Sequence, residues 1–550
     1  MDGHRAAVTD RYPTRLLVAF AAAPVVFVGL LFVWPLAAIL ARGFDLGVLA
    51  DLVRNPGIRS VAWFTLWQAI VSTLATLVVG MLPAFLIARY RFAGRGVLLA
   101  IVTVPFVLPT VVVGAAFLAL SPERFDRTVW SILAAHVFFN IAVVVRTVGT
   151  LWEQLDPDLA AAARTLGASN WQVVRHVTLP LLRPSIVAAA SIVFLFTFTS
   201  FGVIRILGGP ARATIEVEIY LRAAQLGDLP GAAGLAVVQL VAVGSLLWWW
   251  SRDQARTAVP LALQAGSPRR RPRPGRERRL VIGGALLTGV TMLVPVVALV
   301  LRSFRVGDQW SLSAWRLGSA ESQGASAAAQ TWDAVATSLR YACAAAIVAL
   351  VLGALAAFAI AGSGRAGRAL DVGLMLPLGT SAVTIGFGIL ITFDEPPLDL
   401  RDSAWLVPLV HALVAVPFVV RAVLPVLRAL PADLRHAAST LGAAPLRVWR
   451  EIELPLAARG LAAGAAFAFA VSLGEFGATS FLTRRNRETL PIAIGRHLGR
   501  PGELVQAEGY VLAVILLGLT VAAVAALGMI GARDVIGEAD ARALRQGSRQ

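Results

Sequence analysis

The sequence predicts an all-α polytopic membrane protein of about twelve transmembrane helices, arranged as two parallel six-helix repeats. Three observations carry this. The chain is 57% hydrophobic and 15% charged, with a mean hydropathy of +0.74, too apolar for a soluble protein of 550 residues. Several stretches exceed the roughly 18 apolar residues that cross a bilayer, among them Leu16–Ala41, Ile101–Leu120, Ile186–Leu207, Leu280–Leu301 and Tyr510–Ile530. Finally, the segment at 159–180 recurs at 434–455, with 11 of 22 positions identical. The displacement is 275 (434 − 159), half the chain length. A repeat of this kind marks duplication of a whole membrane unit.

Taken in order, the first six spans are expected at 16–41, 61–88, 97–120, 129–150, 186–207 and 231–250. The second six follow at 280–302, 335–361, 369–392, 404–427, 461–482 and 509–531. This divides the chain into a first domain, 1–250, with a repeated loop at 151–185, and a second domain, 280–532, with its loop at 428–460. Between them lies an Arg/Pro-rich linker, 251–279, whose segment 267–279 has no apolar periodicity and is expected to be extended and mobile. A tail, 533–550, follows. The displacement of 275 also pairs His136 with His411, Arg146 with Arg421, and Phe201-Gly202 with Phe476-Gly477. Such parallel repeats place a solute path between the halves.

Charge placement supplies the topology. Arg5, Arg11 and Arg15 precede the first span, Arg89, Arg91 and Arg95 follow the second, and nine arginines against two acids occupy 251–279. The loop 393–402 instead carries Asp394, Glu395, Asp399 and Asp402 against Arg401. Positive-inside asymmetry then puts both termini, the linker and both repeated loops in the cytoplasm. It also accounts for the net charge of +17 without nucleic acid as a partner. The first span is longer than a signal-peptide hydrophobic region of roughly 7–15 residues and is expected to be retained. Cys343 is the single cysteine, which excludes internal disulfides and cysteine metal sites. All 49 basic residues are arginine, so the lysine that a Walker A loop needs is absent and any ATP must be hydrolysed on another subunit. No HExxH or GxSxG motif is present, so a membrane enzyme is not expected.

Each repeated loop reads as a helix–turn–helix. Asp156 can cap a helix that has Pro157 at its first position and Asp158 complementing the dipole. Gly167 supplies a left-handed stop, Ser169 opens a second short helix bearing Trp171, Val174 and Arg175, and Leu179-Pro180 ends it. In the second copy Pro431 opens, Gly442 closes and Pro445 opens again. Small residues let another protein's backbone approach closely. Interfacial helices that merely reverse the chain are the plainer alternative, but they do not demand the same spacing twice.

These residues resemble the coupling motif of ABC-importer permeases, Glu-Ala-Ala-x3-Gly-x9-Ile-x-Leu-Pro. The motif falls on Ala162, Ala163, Gly167, Leu179 and Pro180, and again on Ala437, Ala438, Gly442, Leu454 and Pro455. Ala161 and His436 stand where the family has its glutamate. The resemblance spans essentially the whole chain and is nearest to the fused, two-domain iron(III)- and thiamine-type permeases. The segment His136–Asn140, then Leu207-Gly208-Gly209-Pro210 and Thr214–Tyr220, resembles the thiamine type; Ser472–Gly477 with Thr489-Leu490-Pro491 also resembles molybdate and sulfate permeases.

The resemblance implies a non-catalytic permease subunit in a bacterial cell membrane. Its expected partners are two copies of an ABC ATP-binding subunit, which hold the ATP and Mg, together with an extracytoplasmic solute-binding protein and the lipid bilayer. No cofactor is expected on this chain. Ferric iron or thiamine is the expected solute; an oxyanion permease and a secondary carrier with parallel six-span halves are the alternatives.

For the path itself, Glu475 lies in an apolar span, where a carboxylate must face a cavity or a partner. Either role fits it, a path-facing charge or a packing carboxylate bonded to a hydroxyl or arginine nearby. Its repeat mate is Ser200, flanked by Thr199, and Asn140 faces either the path or a neighbouring helix. His136 and His411 have no ligand cluster nearby, so a membrane-interface or packing role is expected rather than metal binding. The loops 208–230 and 483–507 carry Glu216, Glu218, Arg222, Arg484, Arg485, Arg487 and Glu488, and either receive a binding protein or are simply solvated.

Overall fold

The computed structural model describes residues 13–121, 128–257, 269–316, 325–394, 399–400, 402–484 and 487–547. Arg5, Arg11, Glu395, Arg401 and Arg485 lie outside them, as do 258–268 of the linker and 548–550 of the tail. Among the described residues, ten helices are long and apolar enough to cross a membrane, and two bent pairs bring the number to twelve. The protein is an all-α polytopic membrane protein; the only strands among the described residues are the two-residue pair Arg305–Val306 and Gln309–Trp310.

A proline explains one departure from a straight span and a serine cap marks the other. The third span is Arg95–Val107 plus Thr110–Leu120, bent by 107°. Pro109 forces Leu108 out of the helical region, to ψ 141°, and the chain turns there. The ninth span, Gly364–Gly379 plus Ala382–Thr392, bends by 96°. Here Thr380 is extended and Ser381 restarts the helix by accepting from the Val383 amide at 3.1 Å.

The fifth and eleventh spans correct the sequence reading twice. Leu179-Pro180 and Leu454-Pro455 do not end short helices. Asn170–Phe198 and Pro445–Gly474 are continuous, and each passes through one π-helical segment, Val174–Thr178 or Trp449–Glu453, just before its proline. A proline ring clashes with the carbonyl four residues back, and widening the preceding turn relieves the clash without breaking the helix. The spans also stop earlier than expected, at Phe198 and Gly474. Gly202–Leu207 and Thr479–Leu482 are separate short helices, which hydropathy alone merges with the span before them.

The residues fall into two compact units. One comprises 1–42, 317–493 and 515–550; the other 43–316 and 494–514. In the second of these, Pro56–Arg89 packs along Val129–Gln154. The two helices close up where Gly80 meets Val144, since a Cβ on Gly80 would lie 2.8 Å from the Val144 Cβ. Arg276–Arg302, the opening span of the second repeat, packs here against both arms of the bent third span. In the other unit, Ala325–Gly362 packs on Leu406–Ala429, with Gly353 against Val419. The opening span of the chain belongs to this unit, where Phe20 meets Phe358 and Trp449. Each unit therefore takes its leading helix from the other repeat.

The linker differs from its expectation as well. Its described part is bonded, not free: Arg91 donates to the Arg270 carbonyl at 2.9 Å, and Arg270 donates back to Arg89 at 3.2 Å. Tyr90 donates to Glu277 at 2.8 Å, and Arg269 pairs with Glu153. Seven positive charges in a short segment find two carboxylates and an exposed backbone edge within reach, and the edge orders them.

Candidate functional site: the repeated loops and the broken fifth spans

Both repeated loops are built by one backbone device. In the first, Pro157–Thr165 is helical, Asp156 accepts from the Asp158 amide at 2.8 Å, and Gly167 stands at φ +89°. The Ala168 amide donates to the Ala163 carbonyl at 3.1 Å and the Gly167 amide to Arg164 at 2.9 Å. This is a Schellman turn. The second loop repeats it: Ala432–Thr440 is helical, Gly442 has φ +82°, Ala443 donates to Ala438 at 3.0 Å and Gly442 to Ser439 at 3.0 Å. The second alanine of each pair thus supplies the carbonyl that closes the turn, and the closure fixes the spacing from alanine to glycine. Ser169 and Gln172 then form a reciprocal capping box that starts the next helix; in the second loop Pro445 does so without a side-chain cap.

These knobs expose matched apolar side chains among polar ones. Leu166 and Leu441, equivalent in the repeat, are 89% and 88% exposed. Leu159 with Leu434, and Trp171 with Leu446, are exposed at equivalent positions too. Three matched apolar positions are thus left open in both loops. Beyond each knob the helix runs uninterrupted into the fifth or eleventh span.

That far end is where the remaining candidate residues lie. In the unit of 43–316, His136 bridges Ser72 Oγ at 3.1 Å and Ser200 Oγ at 2.9 Å. Asn140 is one turn along the same helix, donates to the His136 carbonyl at 2.9 Å and is buried. Thr199 bonds back to Leu195 of its own helix at 2.8 Å. Breaking a helix in an apolar surrounding leaves orphan carbonyls; Gln68 serves that of Thr197 at 2.8 Å and Thr214 that of Ser200 at 3.3 Å.

The equivalent break in the other unit is held by charge. Glu475 caps the short helix Thr479–Leu482, accepting from the amides of Ala478 at 2.7 Å and Thr479 at 2.9 Å and from the Thr479 hydroxyl. His411 contacts Ser472 at 2.7 Å, Thr479 at 2.8 Å and the Glu475 carboxylate at 3.3 Å. Gly386 makes room for this turn, as a Cβ there would lie 2.5 Å from the Ala478 Cα. Asn140 and Ser200 are thus brought together through His136, Thr199 turns to its own helix, and Glu475 is engaged on both oxygens. The two histidines are what a reading for packing undervalues. The signal for them was their displacement of 275, shared with Ser200 and Glu475. Among the described residues no three His, Cys, Asp or Glu side chains group to hold a metal.

Comparison with known proteins decides the family. Residues 76–253 and 349–533 each match the binding-protein-dependent transport system inner membrane component. The chain belongs to this family. It carries the domain twice, as a fused ABC-importer permease of the multi-pass inner-membrane type. It is similar to the thiamine transport system permease protein of Salmonella typhimurium, 28% identical over 509 residues, covering 88% of this chain and 91% of that protein. The thiamine transport system permease protein of Brucella suis is also 28% identical, over 80% of this chain and 82% of its own length. The sulfate transport system permease protein of Escherichia coli is 33% identical over 248 residues, 42% of this chain and 89% of that protein.

Proposed function

We propose that this permease is the membrane subunit of an ATP-driven importer for thiamine, delivered by an extracytoplasmic binding protein. The end-to-end likeness to thiamine permeases carries the choice of solute, since it includes both halves and their fusion. The sulfate relative is more identical but spans one half only, so an oxyanion is the second reading. Glu475 does not argue for a cation: its oxygens are spent on two amides, a hydroxyl and a histidine.

In this reading two copies of an ATP-binding subunit, holding ATP and Mg, seat the knobs centred on Leu166 and Leu441. Ala162, Ala163 and Gly167, with Ala437, Ala438 and Gly442, keep each knob thin and correctly angled. Leu179-Pro180 and Leu454-Pro455 continue it into a lever of 29 or 30 residues, roughly 45 Å at 1.5 Å per residue. The levers end at Thr199–Phe201 and Glu475–Ala478, where Asn140, Ser200 and Glu475 shape the path through the turns they hold. Both termini and both loops face the cytoplasm.

Uptake of labelled thiamine by proteoliposomes holding the permease with its ATPase and binding protein tests this. ATP-dependent uptake that excess thiamine abolishes and excess sulfate does not is the expected result. Sulfate uptake without thiamine uptake would transfer the assignment to the oxyanion reading.

A further inference from the structure

The two knobs are alike in backbone and unlike in what lies beneath them. Under the second, Arg435 Nη1 donates to Glu453 Oε1 at 3.1 Å, with Glu453 only 4% exposed. Arg435 is on the coupling helix and Glu453 on the π-helical turn near the start of the lever. The same turn carries Trp449, whose ring packs against Phe20 and Phe358 at 5.3 and 5.5 Å.

The first knob has none of these groups. Ala160 stands for Arg435, Thr178 for Glu453 and Val174 for Trp449, and Val174 is exposed. Ala160 and Thr178 instead line a small crevice, about 20 Å³, together with Leu159, Val177, Leu181 and Arg89. Arg164 donates to Asn170 at 3.1 Å in water and contributes little, and Arg89 donates to the Leu155 carbonyl at 3.4 Å where the chain enters the knob.

We propose that Arg435 and Glu453 are positioning residues that lock the second coupling helix to its lever, a tie that the first coupling helix lacks. A buried ion pair of this kind resists separation because either charge alone would be stranded away from water. The first coupling helix, with Ala160 and Thr178 at these positions, moves against its lever with no such penalty. Its role in transport rests on the proposed coupling function: the locked knob passes ATPase closure to the eleventh span as one body, and the first follows with slack.

Hydrogen–deuterium exchange on the full purified chain tests the lock without any partner. In the wild type, amides of 432–440 should exchange about tenfold more slowly than those of 157–165. Arg435→Gln with Glu453→Gln should erase that difference, and the reversed pair, Arg435→Glu with Glu453→Arg, should restore most of it. Equal exchange in the wild type, or unchanged protection in the neutral variant, overturns the lock. In the reconstituted complex the neutral variant should move at least threefold less solute per ATP with its ATPase still bound, and a wild-type ratio would overturn the role in transmission. Failure of the wild-type chain to bind an ATPase would instead defeat the coupling function, with the exchange result standing apart from it.

Discussion

Replacing Gly167 and Gly442 with valine isolates the turn from everything around it. Both glycines have φ above +80°, and a Cβ at either would meet nothing within 4 Å. The cost is therefore all backbone, about 1–2 kcal/mol at each for an L-residue in the left-handed region, with a β-branched residue at the upper end. Either substitution alone lowers the population of the native turn roughly 5- to 30-fold. The loops belong to separate compact units, so the two penalties should add. What is lost is the pair of bonds from Ala168 to Ala163 and from Ala443 to Ala438, and with them the angle of each knob. Thiamine uptake and ATP hydrolysis measured together in proteoliposomes should show transport per ATP falling at least tenfold in the double variant. Asparagine, which tolerates positive φ, should retain most of it. Full transport by the double valine variant, with its ATPase still bound, would refute the coupling argument.

Other expectations follow from the buried clusters and the linker. Glu475→Gln turns an amide group toward donors that need an acceptor, and should destabilise the purified chain by about 1–3 kcal/mol, with uptake falling in parallel. Unchanged melting and uptake would show that the cap is dispensable. His411→Ala should lower the melting temperature more than His136→Ala, because it strips a partner from a carboxylate as well as from two hydroxyls; the reverse order would contradict the arrangement. Cysteines at Arg146 and Arg421 should label from the cytoplasmic side alike, and labelling from opposite sides would overturn the parallel repeat. Tyr90→Phe with Glu277→Gln should raise tryptic cleavage within 269–273 by roughly fivefold, in keeping with exposed pairs worth about 1 kcal/mol in all; unchanged cleavage would show that the backbone pairing alone holds the linker.

What the sequence by itself determined was what is closed over a few residues. The caps at Asp156 and Ser169 and the left-handed stops at Gly167 and Gly442 depend on bonds within one or two turns, and the number of spans on hydropathy within runs of about 18 residues. These are legible because nothing distant competes with them. Leu179-Pro180 was misread for a physical reason: a helix in an apolar surrounding keeps its backbone bonded by widening to a π turn, where a helix in water would end. The tertiary structure alone decided which hydroxyl His136 meets 64 residues away, that Glu475 is consumed in capping, and that Arg276–Arg302 packs on the first repeat. Each turns on which apolar faces find one another, and hydropathy, the same on every face of a span, does not specify that. The lock beneath one knob and the crevice beneath the other were written at 435 and 453, and at 160 and 178. Only packing made each pair neighbours.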